Sequence, residues 1–451
     1  MSTVIGRKSE INELERLYSS DHSEFVAVYG RRRVGKTFLI KQVFKNRFTF
    51  QHTGVSPVDQ IDEKNRKREQ LESFYYTMLN YGLEGFAKPK SWLEAFYQLE
   101  QLLMKFDNGN RMVIFIDELQ WLDTPRSGFL PAFENFWNGW CSGRDNVMLI
   151  VCGSATSWIL SNLSRSKGGL YGRLTCEIKV SPFTLGECEA YFEHQGIEMS
   201  RYDIMQAYMV FGGIPYYLNY FQKGLSFEQN TDSILFGSKP RLCDEFNRLF
   251  NAIFTNSKEC QKIVRHLATR NYGFTREEMA SATGLPLGGG LSDTLSALAE
   301  SDFIIRYSPY GKGTGEYYKL TDNFCLFWVK YVEQHQSDTS FMHDNATSDI
   351  MKAWRGVAFE HVCWQHVPQI KRALEIGGVK TSVSAWNVAG DDTKIGAQVD
   401  MLIIRDDNIV NLCEMKFSES HYTIKADYEN GKSEQKNKFP NYSLSSIQKK
   451  E

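Results

Sequence analysis

Three stretches of this sequence combine residue types at spacings that can do chemistry on phosphates. The first is Gly30-Arg31-Arg32-Arg33-Val34-Gly35-Lys36-Thr37, which fits GxxxxGK[ST] at every fixed position. Glycines there let main-chain N–H groups curl around phosphate oxygens, and a following helix adds the partial positive charge of its N-terminus. Lys36 can reach β- and γ-phosphate oxygens, and the Thr37 hydroxyl can ligate Mg²⁺. The second stretch is Val113-Ile114-Phe115-Ile116-Asp117-Glu118, an apolar run that delivers two carboxylates at one end. Beside the loop, Asp117 would join the Mg²⁺ shell and Glu118 would polarise an attacking water. Alone, such an acidic pair marks only a strand's exit to solvent.

The third stretch pairs Asp400, in AQVDMLII (397–404), with Glu414 and Lys416, in IVNLCEMKF (409–417). A period of two puts Glu414 and Lys416 on one face of their strand and Met415 on the other. The Arg-Asp-Asp-Asn turn makes a hairpin that brings Asp400 toward Glu414. Two acids and a lysine on a sheet suit metal-assisted phosphodiester hydrolysis: the acids hold Mg²⁺ and Lys416 orients water or offsets developing charge. Glu360, in the preceding helix, adds a further acid. A strand with alternating charges toward solvent has the same pattern.

These residues need elements to position them. FVAVYG (25–30), MVIFIDEL (112–119) and VMLIVCGS (147–154) are short apolar runs of the kind that form a parallel sheet buried on both faces. Amphipathic stretches such as WLEAFYQLEQLLMKF (92–106) lie between them, in a βαβ rhythm. FVAVYG places the glycine loop between a strand and a helix, the context in which the pattern has meaning. Ser154, at the end of the third run, can sense a γ-phosphate or cap a helix. Arg173, framed by glycines in Gly168–Arg173, can act as an arginine finger or in a surface ion pair.

Residues 257–335 give three helices and a glycine-rich hairpin, the order of a winged helix-turn-helix. Thr275-Arg276-Glu277-Glu278 is a capping box for its second helix, which Gly284 ends. No Lys or Arg falls between Gly284 and Ile305, so the third helix offers little to a DNA groove. Arg306, Lys312 and Lys319 on or beside the hairpin could still touch a phosphate backbone. A packing role is the preferred expectation.

In order, Ile5-Gly6-Arg7-Lys8-Ser9-Glu10, GRRRVGKT, FIDELQW, CGSATSW, LYGRL and Phe211-Gly212-Gly213-Ile214-Pro215-Tyr216 resemble the archaeal and bacterial AAA-type ATPases close to the STAND group of signalling NTPases. The resemblance implies that Gly6, Arg7 and Pro215 flank the nucleotide. The Asp400, Glu414, Lys416 pattern, D-x13-E-x-K, resembles the PD-(D/E)XK nuclease superfamily, which gives Glu360 the remaining acidic position.

The expected fold is therefore α/β: a P-loop ATPase core with helical lid (1–225), a winged helix-turn-helix (226–335), a small restriction-endonuclease-like α/β unit (336–428) and a polar, disordered tail (429–451). The expected function is ATP binding and slow hydrolysis, with Mg²⁺, whose nucleotide state gates the C-terminal unit. The alternative is a non-hydrolysing ATP-bound switch acting through a protein partner. The 52 basic and 54 acidic side chains nearly cancel, so DNA would be held only through local patches. A homo-oligomer or a protein partner both remain open. No run of apolar residues reaches membrane-spanning length, and nine scattered cysteines without a CxxC pair point to reduced thiols and a cytoplasmic protein.

Overall fold

The computed structural model describes residues 4–56, 63–165, 168–310, 315–388, 397–418 and 443–445. They form two compact units that divide between Pro182 and Phe183.

In the first unit, strands β1 (Glu24–Tyr29), β2 (Phe48–Thr53), β3 (Met112–Asp117), β4 (Val147–Gly153) and β5 (Cys176–Lys179) make a parallel sheet in the order β2-β3-β4-β1-β5. This is the arrangement of a P-loop NTPase core. Every residue of β3 and β4 is buried, as a sheet covered on both faces requires. One cover is a layer of aromatic rings. Phe96 stacks on Phe136 at 5.1 Å between centroids, Phe129 meets Trp92 at 5.0 Å, and Phe25 meets Trp137 at 4.8 Å. The helix Trp92–Phe106 that carries part of this layer starts where Ser91 Oγ accepts the Glu94 N–H, at 3.2 Å.

Strand order decides where the chemistry converges. Because β4 lies between β1 and β3, the ends of all three open on one edge, with Tyr29 level with Gly153 and Ile116 level with Val151. That edge is where open α/β sheets receive ligands.

The second unit begins with helices, among them Leu185–Gln195, Arg201–Phe211 and Glu245–Ile253. Then come a helix (Ser257–Leu267), β6 (Phe274–Thr275), two helices (Arg276–Thr283 and Gly289–Glu300), β7 (Ile304–Tyr307) and β8 (Tyr317–Leu320), with β8 between β6 and β7. The expected capping box is present: Thr275 Oγ1 accepts the Glu278 N–H and Glu278 Oε2 accepts the Thr275 N–H. Gly284 closes that helix at φ 70°. Last come a helix (Asp349–Gln365) and strands β9 (Thr381–Val388), β10 (Ala397–Arg405), β11 (Ile409–Cys413) and β12 (Ser443–Ser445). β9, β10 and β11 run antiparallel and β12 pairs parallel to β11.

Two expectations need correction. The strand expected over 409–417 ends at Cys413, because the Met415 N–H donates to Asp400 Oδ2, at 2.9 Å, instead of to a neighbouring strand's carbonyl. The tail, 429–451, lies outside the described residues except Ser443–Ser445, which adds a strand to the sheet rather than being structureless. All nine cysteines are free, and among the described residues no helix is long and apolar enough to cross a membrane.

The aromatic layer sets a stability test. Phe133→Ala removes a ring stacked between Phe129 and the sheet residue Phe25, and is expected to cost about 3–5 kcal/mol in urea unfolding of the nucleotide-free protein. A loss below about 1 kcal/mol would mean that the layer does not hold the sheet.

Candidate nucleotide site and a second acidic pocket

The glycine loop links β1 to the helix Lys36–Val43. Gly30 has φ 142°, and a Cβ there would collide with the backbone carbonyl of Val180. Gly35, the residue before the helix, has φ 93° and supplies no side-chain cap. The first-turn amides are thus left for an outside acceptor, which is what an oxyanion needs. Arg33 adopts φ 73°, a left-handed geometry that costs a non-glycine residue about 1–2 kcal/mol. Lys36 is 6% exposed and donates from Nζ to the carbonyls of Gly30 and Arg31, at 2.8 and 2.9 Å. Burial pulls its pKa below the usual lysine value. Arg32 Nη1 is buried with no hydrogen-bond partner, a donor held in reserve at the loop. The donor set fits a polyphosphate.

Across the sheet edge, Thr37 Oγ1 donates to Asp117 Oδ2 at 2.8 Å. A hydroxyl and a carboxylate held together are the oxygen ligands a hard divalent cation takes. Asp117 is buried, and burial first, then the neighbouring Glu118, raises its carboxyl pKa. Glu118 follows in a left-handed conformation, φ 49°. Its Oε2 accepts from the Ser154 N–H at 3.2 Å, from Ser154 Oγ at 2.9 Å, and from Gln120 Nε2. Ser154 therefore does not cap a helix; Ala155 occupies that position and Ser154 binds Glu118. Gln120 was missed in the sequence, although FIDELQW carries it two residues beyond Glu118.

The outlying candidates separate. Arg7, only 7% exposed, donates from Nη2 to the Val34 carbonyl at 3.4 Å, so it braces the loop's backbone. Gly6 precedes it with φ 64°. Arg173 stands exposed in a turn, its N–H bonded to the Leu170 carbonyl. Pro215 opens the short helix Pro215–Leu218 and belongs to the second unit, not to the loop's.

In the second unit, a pocket is lined by Asn271, Tyr307, Lys319, Glu360, Trp386 and Asp400 among others. The hairpin of β7 and β8 builds one wall by packing on the later sheet: the Tyr310 N–H donates to the Ala385 carbonyl at 3.2 Å, and Ser384 Oγ to the Ser308 carbonyl at 2.6 Å. Asn271 Nδ2 donates to Glu360 Oε2, and Asn271 Oδ1 pairs with His361 Nε2 at 2.7 Å. Burial raises the Glu360 carboxyl, partly offset by Lys319.

Here three sequence expectations change. Lys319, which on or beside the hairpin could have touched a phosphate backbone, is 3% exposed and lines the pocket; burial lowers its pKa to about 8. Glu414 and Lys416 are exposed and paired to each other at 2.9 Å outside the pocket lining, yet they flank the Met415 N–H that bonds Asp400, and Lys416 is near enough to lower the Glu360 carboxyl. Lys312 lies outside the described residues, and Arg306 pairs with Glu316 at 3.4 Å. Lys319's signal in the sequence was a lone lysine within the apolar strand EYYKL.

Comparison with known proteins agrees with the first unit. Residues 5–221 match the model of an ATPase domain predominantly from Archaea. The chain is 24% identical over 411 residues to an uncharacterized protein of Methanocaldococcus jannaschii, covering 90% of this chain and 85% of that one. It is 44% identical over 43 residues to an uncharacterized ATP-binding protein of the same organism, covering 10% of this chain and 73% of that one. Its fold is similar to that of a Walker-type ATPase of Pyrococcus abyssi, with TM-score 0.50 and 18% identity over 72% of this chain and 96% of that one. The chain thus carries a P-loop ATPase-type domain similar to archaeal ATPases.

The raised Asp117 carboxyl gives a pH test. A carboxyl with its folded pKa above its unfolded one contributes stability below the unfolded value and loses it as pH rises through the folded one. In metal- and nucleotide-free buffer, Asp117→Asn is therefore expected to unfold at higher urea than wild type near neutrality. The gap should close as pH falls below the ordinary carboxylate range. Equal midpoints at neutral pH would show that the buried charge is compensated.

Proposed function

We propose that the chain is a magnesium-dependent ATPase of the AAA/STAND type whose nucleotide state governs a nuclease-like C-terminal unit acting on nucleic acid. The observation that carries the ATPase part is the Thr37–Asp117 hydrogen bond, with Glu118 one residue beyond it. In this reading the amides of residues 30–37 grip the phosphates, and Lys36 trades the carbonyls of Gly30 and Arg31 for β- and γ-phosphate oxygens. Thr37 and Asp117 would hold Mg²⁺, which supplies charge neutralisation on the phosphates. Glu118 takes the proton of the attacking water once Ser154 and Gln120 release its Oε2, and Ser154 then senses the γ-phosphate. The exposed Arg173 is free to reach a nucleotide on another copy as an arginine finger. Arg7 acts on the nucleotide through the loop it braces, while Gly6 and Pro215 remain contacts implied by family resemblance alone.

For the second unit, the order helix, strand, helix, helix, hairpin supports a winged helix within 226–335. The hairpin's packing on the later sheet favours a structural role over groove reading. A helix followed by three antiparallel strands supports a PD-(D/E)XK-like unit over 336–428, with Glu360 and Asp400 as the metal-holding acids. Glu414 and Lys416 would have to part from each other and turn inward to join them.

A second reading has its own support. The three donors on Glu118 Oε2 are what a tightly bound, non-hydrolysing switch would show. Lys36→Ala is expected to abolish ATP binding under either reading. Glu118→Gln decides between them: an ATPase keeps binding and loses turnover about 100-fold or more, measured as phosphate release with Mg²⁺. Wild-type protein with no turnover above that variant would leave the switch.

A further inference from the structure

We infer that Lys319 is the cation that receives a strand phosphate in the Glu360–Asp400 pocket, so that the β7–β8 hairpin completes a site for a single-stranded nucleic-acid end. The inference rests on the nuclease-like reading of Glu360 and Asp400, and replaces Lys416 with Lys319 as the basic group of that site.

Lys319 is the positive charge beside two acids of the pocket, Glu360 and Asp400. It is 3% exposed and lines the pocket together with both acids. Among the described residues its ammonium makes no hydrogen bond or ion pair; it lies over the face of Trp364, with Nζ 5.2 Å from the ring centroid, and within the field of Glu360 and Asp400. Its side chain lines the pocket, so the ammonium meets whatever enters there. It is therefore a donor available to an anion that enters the pocket. Lys416, by contrast, is exposed and engaged with Glu414 at 2.9 Å.

The rest of the pocket selects the anion. Two carboxylates beside one ammonium repel a bare phosphate but accept one that arrives with a divalent cation, which the acids hold while the ammonium meets a phosphate oxygen. Asn271, bonded to both Glu360 and His361, fixes the direction of the Glu360 carboxyl. Tyr317, half-buried at the same pocket, is the aromatic ring a base could lie against, while Tyr307 and Trp386 are buried in its wall. The space enclosed by the pocket is about 20 Å³, room for a phosphate oxygen or an ion, so the sugar and base of a bound end would lie outside its mouth.

The test is calorimetry on the full chain. Mn²⁺ and a short oligothymidylate are titrated separately, the strand with and without Ca²⁺, and inorganic phosphate serves as the competing source of the same chemistry. Lys319→Met and Lys319→Gln are expected to keep Mn²⁺ binding and to weaken the oligothymidylate about tenfold or more. Lys416→Ala should bind the strand as wild type does. Undiminished strand binding by both Lys319 variants, or a loss in Lys416→Ala instead, overturns the inference. Inorganic phosphate binding as tightly as the strand overturns its nucleic-acid part. If Glu360→Gln leaves Mn²⁺ binding unchanged, the metal reading of the acids falls separately, and the strand titration with Ca²⁺, compared between wild type and the two Lys319 variants, still decides on Lys319.

Discussion

The backbone between β1 and its helix can take only the path that brings Thr37 to Asp117. Gly30 must pass against the Val180 carbonyl with φ 142°, where no side chain fits, and Gly35 must turn left-handed so that the helix starts with its amides open. Arg7 pins the middle of the loop through the Val34 carbonyl. On the other side, β3 ends level with the loop only because β4 separates the two strands and fixes both registers. The hydroxyl and the carboxylate then meet at 2.8 Å without either helix or strand having to move. Strain gathers at the same place: Arg33 and Glu118 both hold left-handed geometries that cost stability and are tolerated where function fixes the backbone.

Charge is handled differently at the two acidic sites. Around the loop, the lysine and the two acids are paired within the site, Lys36 with carbonyls, Asp117 with Thr37, Glu118 with Ser154 and Gln120, while Arg32 Nη1 is held without a partner. A ligand must displace these bonds, so binding and rearrangement are coupled. In the second unit, Glu360 is tethered by Asn271 while Lys319 is left without a hydrogen bond, so one donor stands ready before any ligand arrives.

Much of the first unit was legible because its signals are local. The apolar runs at 25–30, 112–119 and 147–154 coincide with β1, β3 and β4 to within two residues, and the helix 92–106 matches its expected ends. The Thr275 capping box and Gly284 are equally local and were found. What escaped depends on contacts far apart in sequence. β9 (TSVSAWNV) carries Ser and Thr among its apolar residues and shows itself only when paired with β10. β11 ends early because a side chain, Asp400, takes the next amide, which no periodicity reveals. Glu414 and Lys416 keep the expected alternation, with Met415 buried between them, yet that face turns to solvent. Lys319 enters the pocket only because the hairpin packs on a sheet formed some sixty residues later.

The central claim is that residues 30–37, Asp117 and Glu118 form one triphosphate site. A crystal structure with Mg²⁺ and a non-hydrolysable ATP analogue tests it most directly. The account predicts the triphosphate within the curl of residues 30–37, Lys36 Nζ withdrawn from the Gly30 and Arg31 carbonyls onto phosphate oxygens, and the metal between Thr37 and Asp117. A nucleotide bound elsewhere, or a loop whose lysine keeps both carbonyls with the analogue present, would contradict it.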